Sequence, residues 1–235
     1  MKRYVRLSYD IDEKTPLYPD VSAIVIKQVK EIQKGDSSNT FLMTLPNHAG
    51  THIDAPKHFH GSGRTISEYS IHELIFKNPI VVDCPKGPVE IIEVEDLINS
   101  IALTNLNNCD LLLIRTGFYK YRILSSTLES QSFHTYCYEN PVLSPSVAKW
   151  IRKNHPNIKA IGIDCFSISS YANRELGRET HRILLREDKF TGSSVLIIED
   201  MDLSMNLKTL REVIVAPLYI KGVDSAPCTV IGIIE

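Results

Sequence analysis

The sequence predicts an α/β or α+β fold with mixed strand directions, built as one domain over residues 1–235. Three observations predict it. Short apolar runs (PIVVDC, DLLLIRTGF, KAIGIDC and SSVLIIED) have the form of strands buried on both faces. Segments with helical spacing of apolar residues lie between some of them. The last 23 residues, VIVAPLYIKGVDSAPCTVIGIIE, read as two strands around GVDSAP, a hairpin.

In chain order, YVRLSYDIDEKTPLYPD reads as a short strand followed by a Pro-bounded turn. SAIVIKQVKEI is rich in β-branched residues and reads as a strand, and GDSSN as a turn. TFLMTLPNHAGTHIDAPKHF starts as a strand and is then broken at Pro46, Gly50 and Pro56. VEDLINSIA has helical periodicity. LSPSVAKWIRKN adds start and stop signals: Ser144 can cap, Pro145 fits the first turn, and basic residues follow near the end. RELGRETHRILLRED forms a third helix, with His181, Leu184 and Leu185 on one side.

Composition excludes several classes. Hydrophobic residues make up 43% and charged residues 23%, enough to build a core, so wholesale disorder is excluded. A net charge of -2 gives no general pull toward nucleic acid or an anionic membrane. No apolar run approaches the roughly 20 residues that span a bilayer. The N-terminus has no apolar signal segment, so the expected compartment is the cytoplasm. Cys84, Cys109, Cys137, Cys165 and Cys228 are widely spaced and odd in number, which fits reduced thiols. Cys165 is a candidate for lining a pocket.

The chemistry concentrates in PNHAGTHIDAPKHFHGSG, which holds four of the eight histidines. His48, His52, Asp54 and His58 are separated by even steps. In an extended segment, residues two apart point the same way. His52 and Asp54 then share a face about 6.6 Å apart, with Ile53 opposite. The stretch cannot run straight: ten residues at that rise span about 33 Å, too far for one site. Gly50 and Pro56 are where it bends most easily. Imidazoles and a carboxylate suit zinc, and also manganese or iron. His60, His72, His134 and His155 are expected on the surface or supporting a loop.

These residues carry a resemblance. HAGTHIDAPKHF resembles the H-x-G-T-H-x-D-x-P-x-H-[FY] signature of the metal-dependent cyclase family, which includes bacterial kynurenine formamidases (arylformamidases) and isatin hydrolases. TPLYPD, DLLLIRTGF, ENPVLSPSVAKWI, IGIDCFSIS, ETHRILL and VLIIEDM resemble further segments of that family along nearly the whole chain. The resemblance implies a compact swivelling β/β/α-type domain with a mixed, barrel-like sheet. It implies His48, His52 and Asp54 as ligands of a first ion, and His181 and Glu199 as ligands of a second. Asp54 is placed to bridge them. His58 becomes the catalytic acid/base, and Tyr18 a substrate contact where relatives carry Trp. One or two divalent ions per subunit are implied, zinc ahead of manganese. The partners implied are a small-molecule substrate and further copies of the chain, as a homodimer or homotetramer. Tyr4, Tyr9 and Tyr18 mark an N-terminal arm that could cross to a neighbour.

Three features depart from the family pattern: Tyr18 itself, a longer segment REDKFTGSS between His181 and Glu199, and Asp200 where Asn is common. Asp164, Arg115 and Thr116 read as bracing groups near the site. The activity implied is hydrolysis of a non-peptide C–N bond in a formamide, amide or lactam, with lactone opening as its neighbour. The competing reading is a protein that binds metal without turnover; His58 weighs against it. No G-x-S-x-G, P-loop or G-x-G-x-x-G occurs.

Overall fold

A computed structural model describes residues 2–19, 21–101, 106–124, 130–190 and 192–235. The strands are β1 (Arg3–Arg6), β2 (Val25–Lys30), β3 (Thr40–Thr44), β4 (His52–Asp54), β5 (Ile75–Phe76), β6 (Pro79–Asp83), β7 (Ile91–Ile92), β8 (Leu111–Arg115), β9 (Val142–Leu143), β10 (Ala160–Ile163), β11 (Leu196–Glu199), β12 (Leu210–Pro217) and β13 (Ser225–Ile234). The helices are α1 (Val94–Ile101), α2 (Tyr119–Leu124), α3 (Gln131–Tyr138), α4 (Pro145–Asn154) and α5 (Arg174–Leu185).

The apolar runs become the middle of one mixed sheet, ordered β5-β12-β13-β4-β11-β10-β8-β6, with β1 also paired to β13. β6, β8, β10 and β11 are parallel; β4 and the strands beyond it pair antiparallel. β6 at one end of the order returns beside β12 near the other, which nearly closes the sheet into a barrel. This is the mixed α/β class that the sequence predicts, with the barrel-like sheet that the resemblance implies.

Alternation along the strands divides the interior in two. Leu111, Leu113, Ile53, Ile198 and Val230 belong to a core made by strands, loops and short 3-10 turns. Leu112, Ile114, Ile161 and Ile197 face a second core, shared with Val147, Ile151 and Leu184 of the helices. Burial on both faces explains why these strands are apolar at nearly every position.

The C-terminal hairpin forms as expected, with Val215 opposite Val230. The α4 cap also forms, the Val147 N–H donating to Ser144 Oγ at 3.4 Å. Two helices are absent from the sequence reading, α2 and α3. Neither carries a clear apolar stripe. α3 instead buries Tyr136, whose hydroxyl donates to Asp200 Oδ1 at 2.6 Å. The N-terminal arm is not free: β1 pairs with β13 of the same chain. The β2–β3 hairpin is an exposed apolar element: Val25, Val29, Phe41, Leu42 and Met43 all face solvent. The long segment after α5 is clasped by Arg152, whose guanidinium donates to the carbonyls of Ile183, Arg186, Phe190 and Gly192.

α5 packs closely on the loop after β10 because Gly177 lacks a side chain. A Cβ there would stand 2.5 Å from Ser169 Cα, inside backbone contact distance. Gly177→Ala is therefore expected to lower stability by about 1–3 kcal/mol. A urea midpoint that moves down with an unchanged slope checks this; an unchanged midpoint would contradict the packing.

Candidate metal centre

Strand register assembles the centre. In β4, Ile53 faces the barrel core, so His52 and Asp54 face the helices. In β11, Ile198 faces the barrel core, so Glu199 faces the helices too. Glu199 is the direct antiparallel partner of His52, and β13 flanks β4 on its other edge. α5 packs over this face and lowers His181 onto it. The two ends of the β4 segment bend as the sequence predicts. Gly50 takes φ 61, a left-handed conformation, and Pro56 opens a 3-10 turn, Pro56–His58, that carries His58 back. Gly63 lets the chain pass that turn, since a Cβ there would lie 2.7 Å from Pro56 C.

The five predicted ligands meet, with Asp54 at their centre. His48 Nδ1 lies 3.1 Å from Asp54 Oδ1, and His52 Nε2 lies 3.6 Å from the same oxygen. His181 Nε2 lies 3.9 Å from Asp54 Oδ2. Glu199 Oε2 is 3.4 Å from His52 Nε2, and Glu199 Oε1 is 3.4 Å from His181 Nε2. Ligands about 2.1 Å from a tetrahedral ion stand about 3.4 Å from one another. The spacing is that of donors around a shared cation.

Hydrogen bonds aim the donors. The His52 ring donates from Nδ1 to the Gly50 carbonyl at 2.8 Å, and the His181 ring donates from Nδ1 to the Gly177 carbonyl at 2.8 Å. Each is left with an Nε2 lone pair facing the cluster. Glu199 Oε1 accepts from Ser167 Oγ at 2.8 Å and from the Ile168 N–H at 2.7 Å.

The cluster then leaves its centre unsatisfied. His52 Nε2 and both Asp54 oxygens are buried without a hydrogen-bond partner. His48 Nδ1 is near Asp54 Oδ1, at 3.1 Å, without making a hydrogen bond to it. Native interiors rarely leave such groups unmatched, so the residues fit a divalent ion. Among the described residues two ligand groups can be drawn, His48–Asp54–His58 and His52–Asp54–Glu199, and Asp54 is in both. The resemblance sets His52 with His48; the structure sets Glu199 beside His52.

The charges agree. Burial disfavours a charged His48, but Asp54 and Asp224 outweigh it and raise its pKa to about 10. Burial likewise opposes charge on His52 and His181, and Glu199 and Asp54 raise both. Burial alone would raise Glu199 and Asp54; the surrounding imidazoles hold both below the usual carboxylate range. Without an ion, His48 holds a second proton at neutral pH, and the same carboxylates favour charge on His52 and His181.

A cavity of about 300 Å³ opens onto the cluster, lined by His48, His58, His181 and Glu199 at its base. Tyr18, Leu17, Val21 and Phe59 form an apolar wall, and Arg174 and Arg178 stand at the rim. Tyr18 packs on Phe166 with ring centroids 4.8 Å apart. Burial raises its hydroxyl pKa, so the phenol keeps its proton.

Several candidates fall outside. Cys165 does not line the cavity: it is fully buried, its Sγ is 3.2 Å from Thr116 Oγ1, and burial pushes its pKa well up. Asp164 braces the loop after β8 by accepting from the N–H groups of Thr116 and Gly117 at 2.8 Å. Arg115 turns away to Asp83 and the Met205 carbonyl. Asp200 also faces away from the cavity, to Tyr136 and Arg122. His60 stays beside Ser62, 3.0 Å away, and takes no part in the cluster.

Sequence reasoning missed Asp224, Arg174 and Arg178. Asp224 sat in GVDSAP, which reads as a turn. Its carboxylate contacts Asn47, His48 and His58. The arginines were legible only as i, i+4 neighbours on the His181 helix, a pattern shared with any solvated face.

A family model described as "Putative cyclase" matches residues 5–170. An uncharacterized protein of Haemophilus influenzae is 34% identical over 125 residues, 53% of this chain and 82% of that protein. A kynurenine formamidase of Geobacillus thermodenitrificans is 25% identical over 189 residues, 77% of this chain and 78% of that one. Among solved structures, isatin hydrolase A from Labrenzia aggregata, bound to benzyl benzoate, shares the fold. Its TM-score is 0.80 at 18% identity, over 99% of this chain and 94% of that one.

An ion must displace the protons on the imidazoles. Binding of zinc to the ion-free protein at pH 7 is therefore expected to release at least one proton per ion, from His48, with affinity falling as pH is lowered. Calorimetry in buffers of different ionisation enthalpy measures the release. Zero release would contradict the protonated, ion-free cluster.

Proposed function

The chain belongs to the cyclase family, and on that premise we propose a metal-dependent hydrolase of non-peptide C–N bonds. The substrate class is a small formamide, amide or lactam. The carrying observation is the convergence of His52, His181 and Glu199 around the unsatisfied Asp54 carboxylate. These residues and His48 would hold one or two divalent ions, zinc ahead of manganese. Such an ion supplies a bound water acidified to near neutral pH and polarises the substrate carbonyl.

The chain's own groups do the rest. His58 lines the cavity, and its Nδ1 is engaged at 2.7 Å by Asp224. Its other nitrogen is left to carry a proton from the attacking water to the leaving nitrogen, as general base and then general acid. Tyr18, Leu17, Val21 and Phe59 offer a flat apolar body a dry wall and exclude bulk water from the reacting bond. Arg174 and Arg178 at the rim favour a substrate or product that bears a negative charge. Ester attack uses the same groups, which supports lactone opening as a side activity.

The exposed apolar β2–β3 hairpin supports association into a homodimer or homotetramer. Five buried, free cysteines support a reducing compartment, the cytoplasm.

The test is hydrolysis of N-formylkynurenine, isatin and formanilide by the protein, with and without chelator. Turnover of at least one, abolished by chelator and restored by zinc or manganese, is expected. Activity that survives complete metal removal would contradict the reading. His58→Ala is expected to keep its ion and lose about 10²–10⁴-fold in kcat. A variant with full turnover would remove His58 from the mechanism.

A further inference from the structure

Asp224 belongs to no motif, yet its surroundings hold it more firmly than a turn requires. It immediately precedes β13, and its carbonyl accepts the Ala55 N–H at 2.9 Å, just beyond β4. Its Oδ1 accepts from Asn47 Nδ2 at 2.7 Å. Asn47 Nδ2 also donates to Ser225 Oγ at 3.1 Å, and Ser225 Oγ donates to the Asn47 carbonyl at 3.0 Å. The clamp leaves Oδ2 pointing at two rings, 2.7 Å from His58 Nδ1 and 3.2 Å from His48 Nε2.

We propose that Asp224 is a positioning residue, a single carboxylate that fixes the tautomer of both a metal ligand and the proton carrier. An ionised carboxylate only accepts, so each facing ring nitrogen carries its hydrogen. His48 is then left with Nδ1 as donor atom, and that nitrogen faces Asp54 at 3.1 Å. In a neutral His58 ring, Nε2 is then the free acceptor, the arrangement a general base needs. The two rings lie with centroids 4.4 Å apart. Movement of one is felt by the other through their common oxygen, so ion loading at His48 also orders His58. The inference rests on the assignment of His48 as ligand and His58 as proton carrier, and it goes beyond that assignment in naming what sets their orientation.

The experiment is long-range ¹H–¹⁵N spectroscopy of the histidine rings in the zinc-loaded protein at mildly alkaline pH, with His58→Ala used to assign the His58 signals. The wild-type protein is expected to show His58 in the Nδ1–H form. Asp224→Asn is expected to lose that single tautomer, weaken zinc about 10–100-fold and lower kcat with KM changed less than threefold. A wild-type His58 in the Nε2–H form overturns the proposal, whether or not the variant folds. So does a folded Asp224→Asn protein with unchanged tautomer and zinc affinity. A wild-type protein that binds no zinc or manganese would instead overturn the functional reading, so the two failures are distinct.

Discussion

Asp54 is fully buried, and neither of its carboxylate oxygens accepts a hydrogen bond. An uncompensated buried charge costs about 3–5 kcal/mol when a partner is taken away. The protein arranges three imidazoles around this group without hydrogen-bonding any of them to it. Their remaining ring nitrogens are turned outward to the Gly50 and Gly177 carbonyls and to Asp224. A cation resolves this arrangement in a way that no protein group does. The account of the site follows from that one constraint.

The sheet is what makes the constraint possible. β4 is only three residues long, yet it lies between β11 and β13 and is buried throughout. A slip of one residue would turn His52 and Asp54 into the barrel core and put Ile53 on the cavity side. Ile53 guards against that slip, since it packs among Ile198 and Ala226 in the apolar core. The helix layer then needs close approach, and Gly177 provides it against Ser169. Packing and chemistry are thus set by the same few positions.

Much of the candidate site was legible because it is local. His48, His52, Asp54 and His58 fall within eleven residues, and the two-residue period of a strand predicts a shared face. Gly50 and Pro56 mark the bends. His181 and Glu199 were legible only through family resemblance, because tertiary packing, not spacing, brings them to Asp54. Glu199 ends an apolar run and looks like an exit to solvent; it is in fact buried by its register against His52. Asp224 was hidden for the same reason. A carboxylate in GVDSAP has every local mark of a turn, and its partners lie more than 160 residues away in sequence. α3 was missed because hydrogen bonding to Asp200 stabilises its buried Tyr136, in place of an apolar stripe.

Anomalous X-ray diffraction from crystals grown with zinc, recorded on both sides of the zinc absorption edge, measures the central claim most directly. The account predicts a peak within about 2.0–2.2 Å of an Asp54 oxygen and of His52 Nε2. An ion bound elsewhere on the protein, with Asp54 still unligated, would contradict it.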